Sequence, residues 1–302
     1  MKKLMRIVVA VCIAAVAVAG LAYVWLFPDV FDRSPRPGEP PSSHRIVLPP
    51  IFWRIPTDQD AINEEIIKRA SIAMTGAPLP GTPDLSDLAG RLKAQGLTQG
   101  APIFVRIFKR EFELELWMKK GKSFERFATY PICNWSGRLG PKMVEGDRQS
   151  PEGFYTVDAR ALNPKSNYHR SFNLGFPNAF DRALGRTGSF LMVHGACASV
   201  GCYAMTNPVI EEIWTLVEAA LRSGQRRFHV HVFPFRMTEE NLIHYREMPW
   251  MEFWQNLKQG YDAFETAKLP PKVSVCDGRY AIALPSPNSV GSEEITTGCA
   301  GL

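Results

Sequence analysis

Residues 188–205 read GSFLMVHGACASVGCYAM, and the interpretation of the whole chain starts from them. The apolar first half predicts a short buried strand that ends at His194 and Gly195. A loop of small residues then leads to Gly201 and Cys202. A cysteine nucleophile needs a nearby base, and flanking glycines let backbone N–H groups approach an oxyanion closely. The stretch therefore predicts catalysis in which Cys202 is the nucleophile and His194 is the general base.

Other interpretations of these residues stay open. Free cysteines are most often small buried hydrophobic residues, and a lone histidine is most often a hydrogen-bonded core residue. A metal site built from His194, Cys197 and Cys202 is a further alternative. It lacks the CxxC spacing of structural zinc sites and has no clear fourth ligand. We therefore predict no metal and no other cofactor.

The same stretch resembles the active-site segment of the L,D-transpeptidase (YkuD-type) cysteine enzymes of bacterial cell walls. Their usual signature is His-Gly on a strand, followed by a Ser-His-Gly-Cys loop. Ser199, Gly201 and Cys202 match that loop, whereas Val200 replaces the second histidine. This replacement and the short loop resemble the YafK-like subgroup, as do residues 133–142 (CNWSGRLGPK), 145–155 (EGDRQSPEGFY) and 172–188 (FNLGFPNAFDRALGRTG). The resemblance covers roughly residues 100–280.

The resemblance implies a β-rich α+β fold, an L,D-transpeptidase-like β-sandwich or barrel with flanking helices. It also implies an amidase that detaches outer-membrane lipoprotein from peptidoglycan by hydrolysis. Cys202 would attack the amide carbonyl at the L-centre of diaminopimelate in a wall stem peptide. Backbone N–H groups near Gly201, Cys202 and Tyr203 would stabilise the oxyanion, and water would resolve the thioester. The alternatives are an L,D-transpeptidase that forms crosslinks and a non-catalytic wall-binding module.

Residues 163–187 are polar and aromatic without a clear period, and they predict an ordered loop that forms a wall of the substrate site. Asp181 and Arg182 could instead form a surface pair. The carboxylates show no paired glycosidase-like arrangement, so cleavage of wall glycan is not supported. The predicted substrate contacts are Tyr168, His169, Asn173, Asn178, Asp181, Arg182, Gly195 and Ser199.

The first residues predict export across a membrane. Lys2, Lys3 and Arg6 precede an uncharged apolar run, residues 7–27, which is long enough to span a bilayer core. We expect an uncleaved inner-membrane anchor with a periplasmic enzyme behind it. A cleaved signal peptide with its site at Ala17-Val18-Ala19 is the alternative, and it predicts a soluble periplasmic protein.

Composition is consistent with a globular enzyme of the cell envelope. The chain has 302 residues, of which 45% are hydrophobic and 22% charged. The net charge of +5 suits a polyanionic wall or membrane surface but is too weak to indicate nucleic acid. The partners that the resemblance implies are peptidoglycan stem peptides and wall-linked lipoprotein, and the N-terminal apolar run adds the inner membrane.

Six cysteines constrain the disulfides of an exported chain. Cys12 lies in the predicted membrane segment, so five cysteines remain and at least one of them stays free. If Cys202 is the nucleophile, it is the natural free thiol. The other four allow up to two disulfides, whose pairing the sequence leaves open: Cys133, Cys197, Cys276 and Cys299.

We divide the whole chain into four predicted segments on its hydrophobic periodicity and composition. They are a signal anchor (1–27), a Pro-rich linker with two short helices (28–98), the catalytic domain (99–237) and a C-terminal helical extension with a flexible tail (238–302). Helices are predicted at 57–76 with Thr57 as N-cap, 85–95, 207–224, 238–247 and 249–264. Strands are predicted at 103–108, 112–118, 124–132, 153–157 and 227–233, with a β-like piece at 273–284. His229 and His231 share one face of the strand 227–233, and we expect that face to be solvated or partly covered.

Overall fold

The structure is a computed structural model that describes residues 58–286 and 289–299. The predicted membrane segment, residues 28–56 of the predicted linker segment and the Thr57 cap lie outside the described residues. Across the two described ranges, every helix is too short or too polar to cross a bilayer. The helices are α1 (Asp58–Met74), α2 (Leu88–Gln95), α3 (Ala179–Ala183), α4 (Asn207–Arg222), α5 (Glu239–His244) and α6 (Met251–Ala267). A short 3-10 turn spans Ala159–Ala161.

Twelve strands occur within the described residues, and they form two five-stranded sheets and one hairpin. The strands are β1 (Ile103–Phe108), β2 (Glu113–Lys120), β3 (Ser123–Pro131), β4 (Asn134–Trp135), β5 (Gly153–Asp158), β6 (Leu162–Ser166), β7 (His169–Asn173), β8 (Met192–His194), β9 (Tyr203–Ala204), β10 (Arg227–Phe233), β11 (Lys272–Cys276) and β12 (Arg279–Ala283). The β-rich α+β class that the sequence predicts is confirmed.

The first sheet has the order β3-β2-β1-β10-β5. Its first three strands form the antiparallel meander that the alternating sequence predicts. Strand β10 then pairs in parallel with β1, so the sheet is mixed. All six residues of β1 are buried, because both faces of this sheet are covered. On one face Phe264 of α6 packs on Phe104 at 4.6 Å between ring centroids.

Cover from distant parts of the chain also buries the histidines of β10. The prediction that they lie on a solvated or partly covered face is wrong, since His229 is 1% and His231 is 0% exposed. The His231 ring packs 4.8 Å from Phe104 and 4.4 Å from Phe154. His229 Nε2 lies 2.8 Å from the carbonyl of Glu293 in the C-terminal segment. No local pattern in β10 could have revealed partners so far along the chain.

The second sheet has the order β4-β9-β8-β7-β6 and carries the segment with which the sequence interpretation began. Strands β8 and β9 are parallel, whereas the other pairs are antiparallel. The two sheets share one core, in which Phe172 of β7 packs edge-on to Phe228 of β10 at 5.6 Å.

Residues 163–187 are more regular than predicted. Instead of a loop throughout, they contain most of the hairpin β6–β7 and the short helix α3. Strand β6 has no fully buried residue, so it lacks the apolar alternation that signals a strand. Helix α3 begins with a capping box between Asn178 and Asp181. Polar side chains thus build this region through hydrogen bonds that residue spacing alone does not display.

The helix ends follow local capping signals with small shifts. Helix α2 begins after Asp87, whose side chain accepts from Gly90 N, and ends at the predicted Gly96 in the left-handed conformation. Helix α4 has Thr206 as its N-cap. The Asn207 side chain is therefore free to bond elsewhere, and it accepts from Ala196 N at 2.8 Å.

The C-terminal segment is ordered where the structure describes it. Strands β11 and β12 form a hairpin, and a disulfide joins Cys276 to Cys299. Val275 forms a β-bridge with Thr297, and Ile295 is 8% exposed. Residues 289–299 of the predicted flexible tail are thus attached to the hairpin by a β-bridge and a disulfide. The division of the chain into four segments stays a prediction.

Candidate active site

Strands β8 and β9 bring the predicted dyad to one face of the second sheet. Val193 lies opposite Tyr203, and both are fully buried in the core. Side chains alternate along a strand, so the residues on either side of Val193 point to the opposite face. Cys202 directly precedes β9, and its Sγ accepts from Met192 N at 3.4 Å. Cys202 and His194 are therefore diagonal neighbours on the outer face of adjacent parallel strands.

His194 is held as a neutral imidazole with a defined tautomer. Its Nδ1 lies 2.5 Å from the carbonyl oxygen of Gly195. A carbonyl can only accept, so Nδ1 carries the hydrogen and Nε2 is left as the basic nitrogen. The side chain is almost fully buried, and this desolvation lowers the pKa of His194 below its usual value, partly offset by the bond to Gly195. The Tyr168 ring packs on His194 with 4.8 Å between centroids.

Cys202 is a free, half-buried thiol. Burial raises the pKa of Cys202, and the N–H of Met192 lowers it in part. Its Sγ also lies 3.6 Å from the carbonyl oxygen of Phe190, which can accept from the thiol. Burial thus favours the neutral form of both side chains. If Cys202 is the nucleophile, its proton has to leave as the sulfur attacks.

A disulfide fixes the loop between the two residues. Cys197 is bonded to Cys133, which directly precedes β4. The zinc alternative is wrong, because Cys197 has no thiolate to offer a metal. Among the described residues, one other metal-like group exists, Cys276, Asp277 and Cys299, and both of its cysteines are also in a disulfide.

Gly195 has to be glycine at the start of this loop. A Cβ atom at this position would lie 2.7 Å from Asn207 Oδ1 and 2.9 Å from the carbonyl oxygen of Tyr168. The loop therefore packs directly against the turn between β6 and β7. This close approach places Tyr168 beside His194.

Three serines hold the other end of the loop. Gly201 adopts a φ of +115°, and its N–H donates to Ser136 Oγ at 2.6 Å. The carbonyl of Cys202 accepts from Ser199 Oγ at 2.8 Å and from Ser150 Oγ at 3.0 Å. These bonds fix the backbone on both sides of the sulfur.

The serine bonds correct the predicted oxyanion donors. Gly201 N–H is engaged by Ser136, and the backbone of Tyr203 is paired with β8 inside the sheet. For Cys202 N–H, no acceptor occurs within the described residues. Of the three predicted donors, the amide of Cys202 itself is the one that is left.

A buried lysine organises the long connection that carries Ser136 and Ser150. Lys109 Nζ is fully buried and pairs with Glu152 at 3.0 Å. It also donates to three carbonyl oxygens of this connection, those of Arg138, Gly140 and Ser150, at 2.7 to 3.1 Å. The other Glu152 oxygen accepts from Trp254 Nε1 at 2.8 Å. The ammonium group thus draws the connection together beneath the catalytic loop.

Comparison with known proteins identifies the family of this chain. A family profile described as the L,D-transpeptidase catalytic domain (YkuD) matches residues 103–232. The candidate L,D-transpeptidase YafK of Escherichia coli (strain K12) is 46% identical over 198 residues, which cover 66% of this chain and 80% of that protein. The YafK of Escherichia coli O157:H7 matches to the same extent. The chain belongs to the L,D-transpeptidase family.

Two solved structures are also similar to this L,D-transpeptidase family member. The helical cell shape determining protein Pgp2 (K307A mutant) of Campylobacter jejuni has a TM-score of 0.38 and 19% identity, over 61% of this chain and 66% of that one. Bd1075 of Bdellovibrio bacteriovorus has a TM-score of 0.33 and 15% identity, over 55% of this chain and 58% of that one.

The structure brings three of the predicted substrate contacts close to the dyad. Tyr168 packs on His194, and Asn173 of β7 lies opposite Met192, the residue that contacts Cys202. Ser199 bonds the carbonyl of Cys202. Whether these residues contact substrate stays a prediction, as do the catalytic roles of the dyad.

His169 lies at the turn beside Gly195, where its Nε2 is 2.6 Å from Glu211. This contact is partly exposed. Its role as a substrate contact also stays a prediction.

Asn178 and Asp181 have structural roles. Asp181 is fully buried, with one carboxylate oxygen 3.0 Å from Arg186 Nη1 and the other bonded to Asn178 N and Tyr155 Oη. Asn178 bonds the carbonyl of Phe154 and caps α3. The surface pair of Asp181 with Arg182 is also wrong, because Asp181 pairs with Arg186, while Arg182 bonds the carbonyl of Pro177. Asp181 is fully buried and lines no described cavity, whereas Asn178 lines a cavity together with Asn173 and Arg182, so its role as a substrate contact stays a prediction.

Sequence interpretation missed Ser136, Ser150 and Lys109. The two serines lie inside stretches that resemble the family, residues 133–142 and 145–155, so a signal was present. Lys109 lies in a turn after β1 and has the usual sequence context of an exposed lysine. Its burial depends on three distant carbonyls, which no local pattern indicates.

Proposed function

We propose that this protein is a cysteine amidase of peptidoglycan that cleaves an amide at the diaminopimelate of a wall stem peptide. The leaving group would be the amine of a wall-linked protein, such as a lipoprotein lysine. Membership of the L,D-transpeptidase family supports peptidoglycan as the substrate class. The observation that carries the proposal is the pairing of β8 with β9, which sets Cys202 beside His194 on one sheet face.

The reaction begins with transfer of the Cys202 proton to His194 Nε2. The sulfur attacks the amide carbonyl carbon, and the oxygen of the tetrahedral intermediate accepts from Cys202 N–H. His194 then returns the proton to the departing amine, which leaves a thioester on Cys202. Water activated by the same imidazole hydrolyses this thioester to a free carboxylate and restores the thiol. Gly195 O stabilises the imidazolium in both steps through its bond to Nδ1.

Hydrolysis rather than crosslinking follows from the apolar character of the loop. The second histidine of the family signature is Val200 here, and its side chain is 72% exposed. An amine acceptor competes with water at about 55 M only where polar groups hold it within attack distance. Ala196, Ala198 and Val200 offer no such groups. An L,D-transpeptidase that forms crosslinks is the second candidate, with Tyr168 or Asn173 as the groups that would orient the amine.

The two disulfides support an oxidising compartment. We therefore place the enzyme in the periplasm, held at the inner membrane by residues 7–27. N-terminal sequencing of the mature protein tests the anchor. Mature protein that begins at Met1 supports it, and a start at Gly20 indicates a cleaved signal peptide.

The proposed activity is tested by incubating the purified protein with sacculi that carry covalently linked lipoprotein, with and without excess stem peptide as amine acceptor. Mass spectrometry should identify released lipoprotein and stem peptides with a free diaminopimelate carboxylate. If crosslinked dimers outnumber hydrolysed stems, the transpeptidase candidate is right. If neither product forms, a non-catalytic wall-binding role is favoured.

A further inference from the structure

Phe190 combines two unfavourable features next to the nucleophile. Its backbone has a φ of +54°, in the left-handed region that bulky side chains avoid. Its aromatic ring is 72% exposed to solvent. Single exposed apolar residues are common on proteins. Here, however, the backbone strain lowers the free energy of unfolding, and burial of the ring does not offset that loss. Such a conformation indicates a function.

The position of Phe190 indicates which function. Its carbonyl oxygen lies 3.6 Å from Cys202 Sγ, so the residue touches the reacting atom. The next residue, Leu191, is 4% exposed and anchors the backbone in the core. The left-handed backbone at Phe190 therefore combines a carbonyl in contact with the sulfur and a ring that is exposed to solvent next to it.

Val200 adds a second exposed apolar side chain two residues before Cys202. It is 72% exposed, and the bonds of Gly201 and Cys202 to Ser136 and Ser199 fix the backbone beside it. Apolar side chains thus lie on both chain segments that meet at the thiol. A hydrocarbon portion of a bound substrate would bury apolar surface against them, whereas a polar portion would lose water there without gaining a hydrogen bond.

We propose that Phe190, with Val200, is a specificity-determining residue that binds the methylene chain of the diamino acid at the scissile amide. This inference rests on the proposed function and adds the part of the substrate that is recognised. The chain could belong to the acyl side, as in diaminopimelate, or to a lysine on the leaving side. Both present a few methylenes next to the amide, which an aromatic ring covers well.

The test measures binding separately from catalysis. Titration calorimetry measures the dissociation constants of three variants in a Cys202→Ala background: Phe190→Ala, Phe190→Gly and, as a control, Ile243→Ala. Ile243 is an apolar residue of α5 that is 60% exposed. The probes are a diaminopimelate stem peptide and the same peptide amide-linked to a lysine peptide. We expect both Phe190 variants to weaken binding about tenfold and Ile243→Ala to leave it unchanged.

The glycine variant separates the ring from the backbone. Glycine adopts a positive φ without strain, so Phe190→Gly keeps the carbonyl at the sulfur and removes the ring alone. Weaker binding of the stem peptide itself assigns the ring to the acyl-side chain, and weaker binding of the conjugate alone assigns it to the leaving lysine. Parent-like binding of both probes by Phe190→Gly overturns the inference. Absence of wild-type turnover on the conjugate overturns the proposed function instead, so the two failures are distinguishable.

Discussion

The disulfide between Cys133 and Cys197 joins the start of β4 to the middle of the loop that separates His194 from Cys202, with 5.4 Å between the Cα atoms. Asn134 reinforces this link, since its side-chain N–H donates to the carbonyl of Cys197 at 3.2 Å. The loop is thus fixed at its centre by a covalent bond and at its ends by hydrogen bonds. A rigid loop is what a thiol and an imidazole on separate strands need in order to keep their relative position.

Removal of the Cys133–Cys197 disulfide should impair catalysis more than removal of the Cys276–Cys299 disulfide. We expect Cys133→Ala/Cys197→Ala to lower kcat about tenfold or more, since the loop gains freedom. It should also lower the free energy of unfolding by about 2 to 4 kcal/mol. The matched control is Cys276→Ala/Cys299→Ala, which removes the disulfide at the C-terminal hairpin. Equal kcat values for the two double variants would show that the loop does not depend on its disulfide.

Lys109 should be a determinant of stability rather than chemistry. Lys109→Met leaves the Glu152 carboxylate buried without its charge partner and leaves three carbonyl oxygens with the Gln149 side-chain amide as their remaining donor. We expect the free energy of unfolding to fall by about 3 to 5 kcal/mol, as measured by urea denaturation. Lys68→Met, which removes an exposed ion pair with Glu65, should change it by less than about 1 kcal/mol. Similar losses in both variants would contradict the role of Lys109.

Asp181 distinguishes a structural role from a substrate contact. Asp181→Ala leaves the guanidinium of Arg186, which is 6% exposed, without its carboxylate. We expect a loss of about 3 to 5 kcal/mol in the free energy of unfolding and an unchanged KM at a temperature where the variant is folded. The exposed Arg182→Ala serves as the control for stability. A variant at Asp181 with normal stability and a raised KM would restore it as a substrate contact.

The pH profile should report the state of both reacting groups. Burial lowers the pKa of His194 below its usual value of about 6.5. The imidazole therefore stays neutral at pH values somewhat below about 6.5, and the acid limb of the kcat/KM profile should lie below that pH. In His194→Ala the thiol has to ionise unaided, and burial raises the pKa of Cys202. Activity of this variant should therefore be low at neutral pH and recover only above about pH 8.5. A rate that does not change between pH 6 and 10 would argue that His194 is not the base.

Local features of the fold were predictable because their causes lie within a few residues. The alternation that defines β1, the stop of α2 at Gly96 and the strand that ends at His194 were all visible in the sequence. Features that depend on distant partners were not. His229 and His231 are buried by residues 104 and 293, which lie far away along the chain.

The candidate site shows the same division. The free thiol of Cys202 and its position near His194 could be predicted from one short stretch, whereas the partners of the neighbouring backbone N–H groups could not. Gly201 N–H had the right position for that role, and Ser136, 65 residues earlier, turned out to engage it. Local sequence does not show whether a polar side chain such as Asp181 is exposed or buried, because the outcome depends on whether a partner such as Arg186 is within reach in the folded chain.

The central claim is that Cys202 is the nucleophile. The most direct measurement uses a stem peptide with an amide at diaminopimelate and compares the rates at which wild-type protein and Cys202→Ala release the amine. The substitution removes one sulfur atom from a half-buried side chain, so the melting temperature should stay near that of the wild type. We predict that the released amine falls by more than about a thousandfold. Release by Cys202→Ala within a few-fold of the wild-type rate would contradict the account.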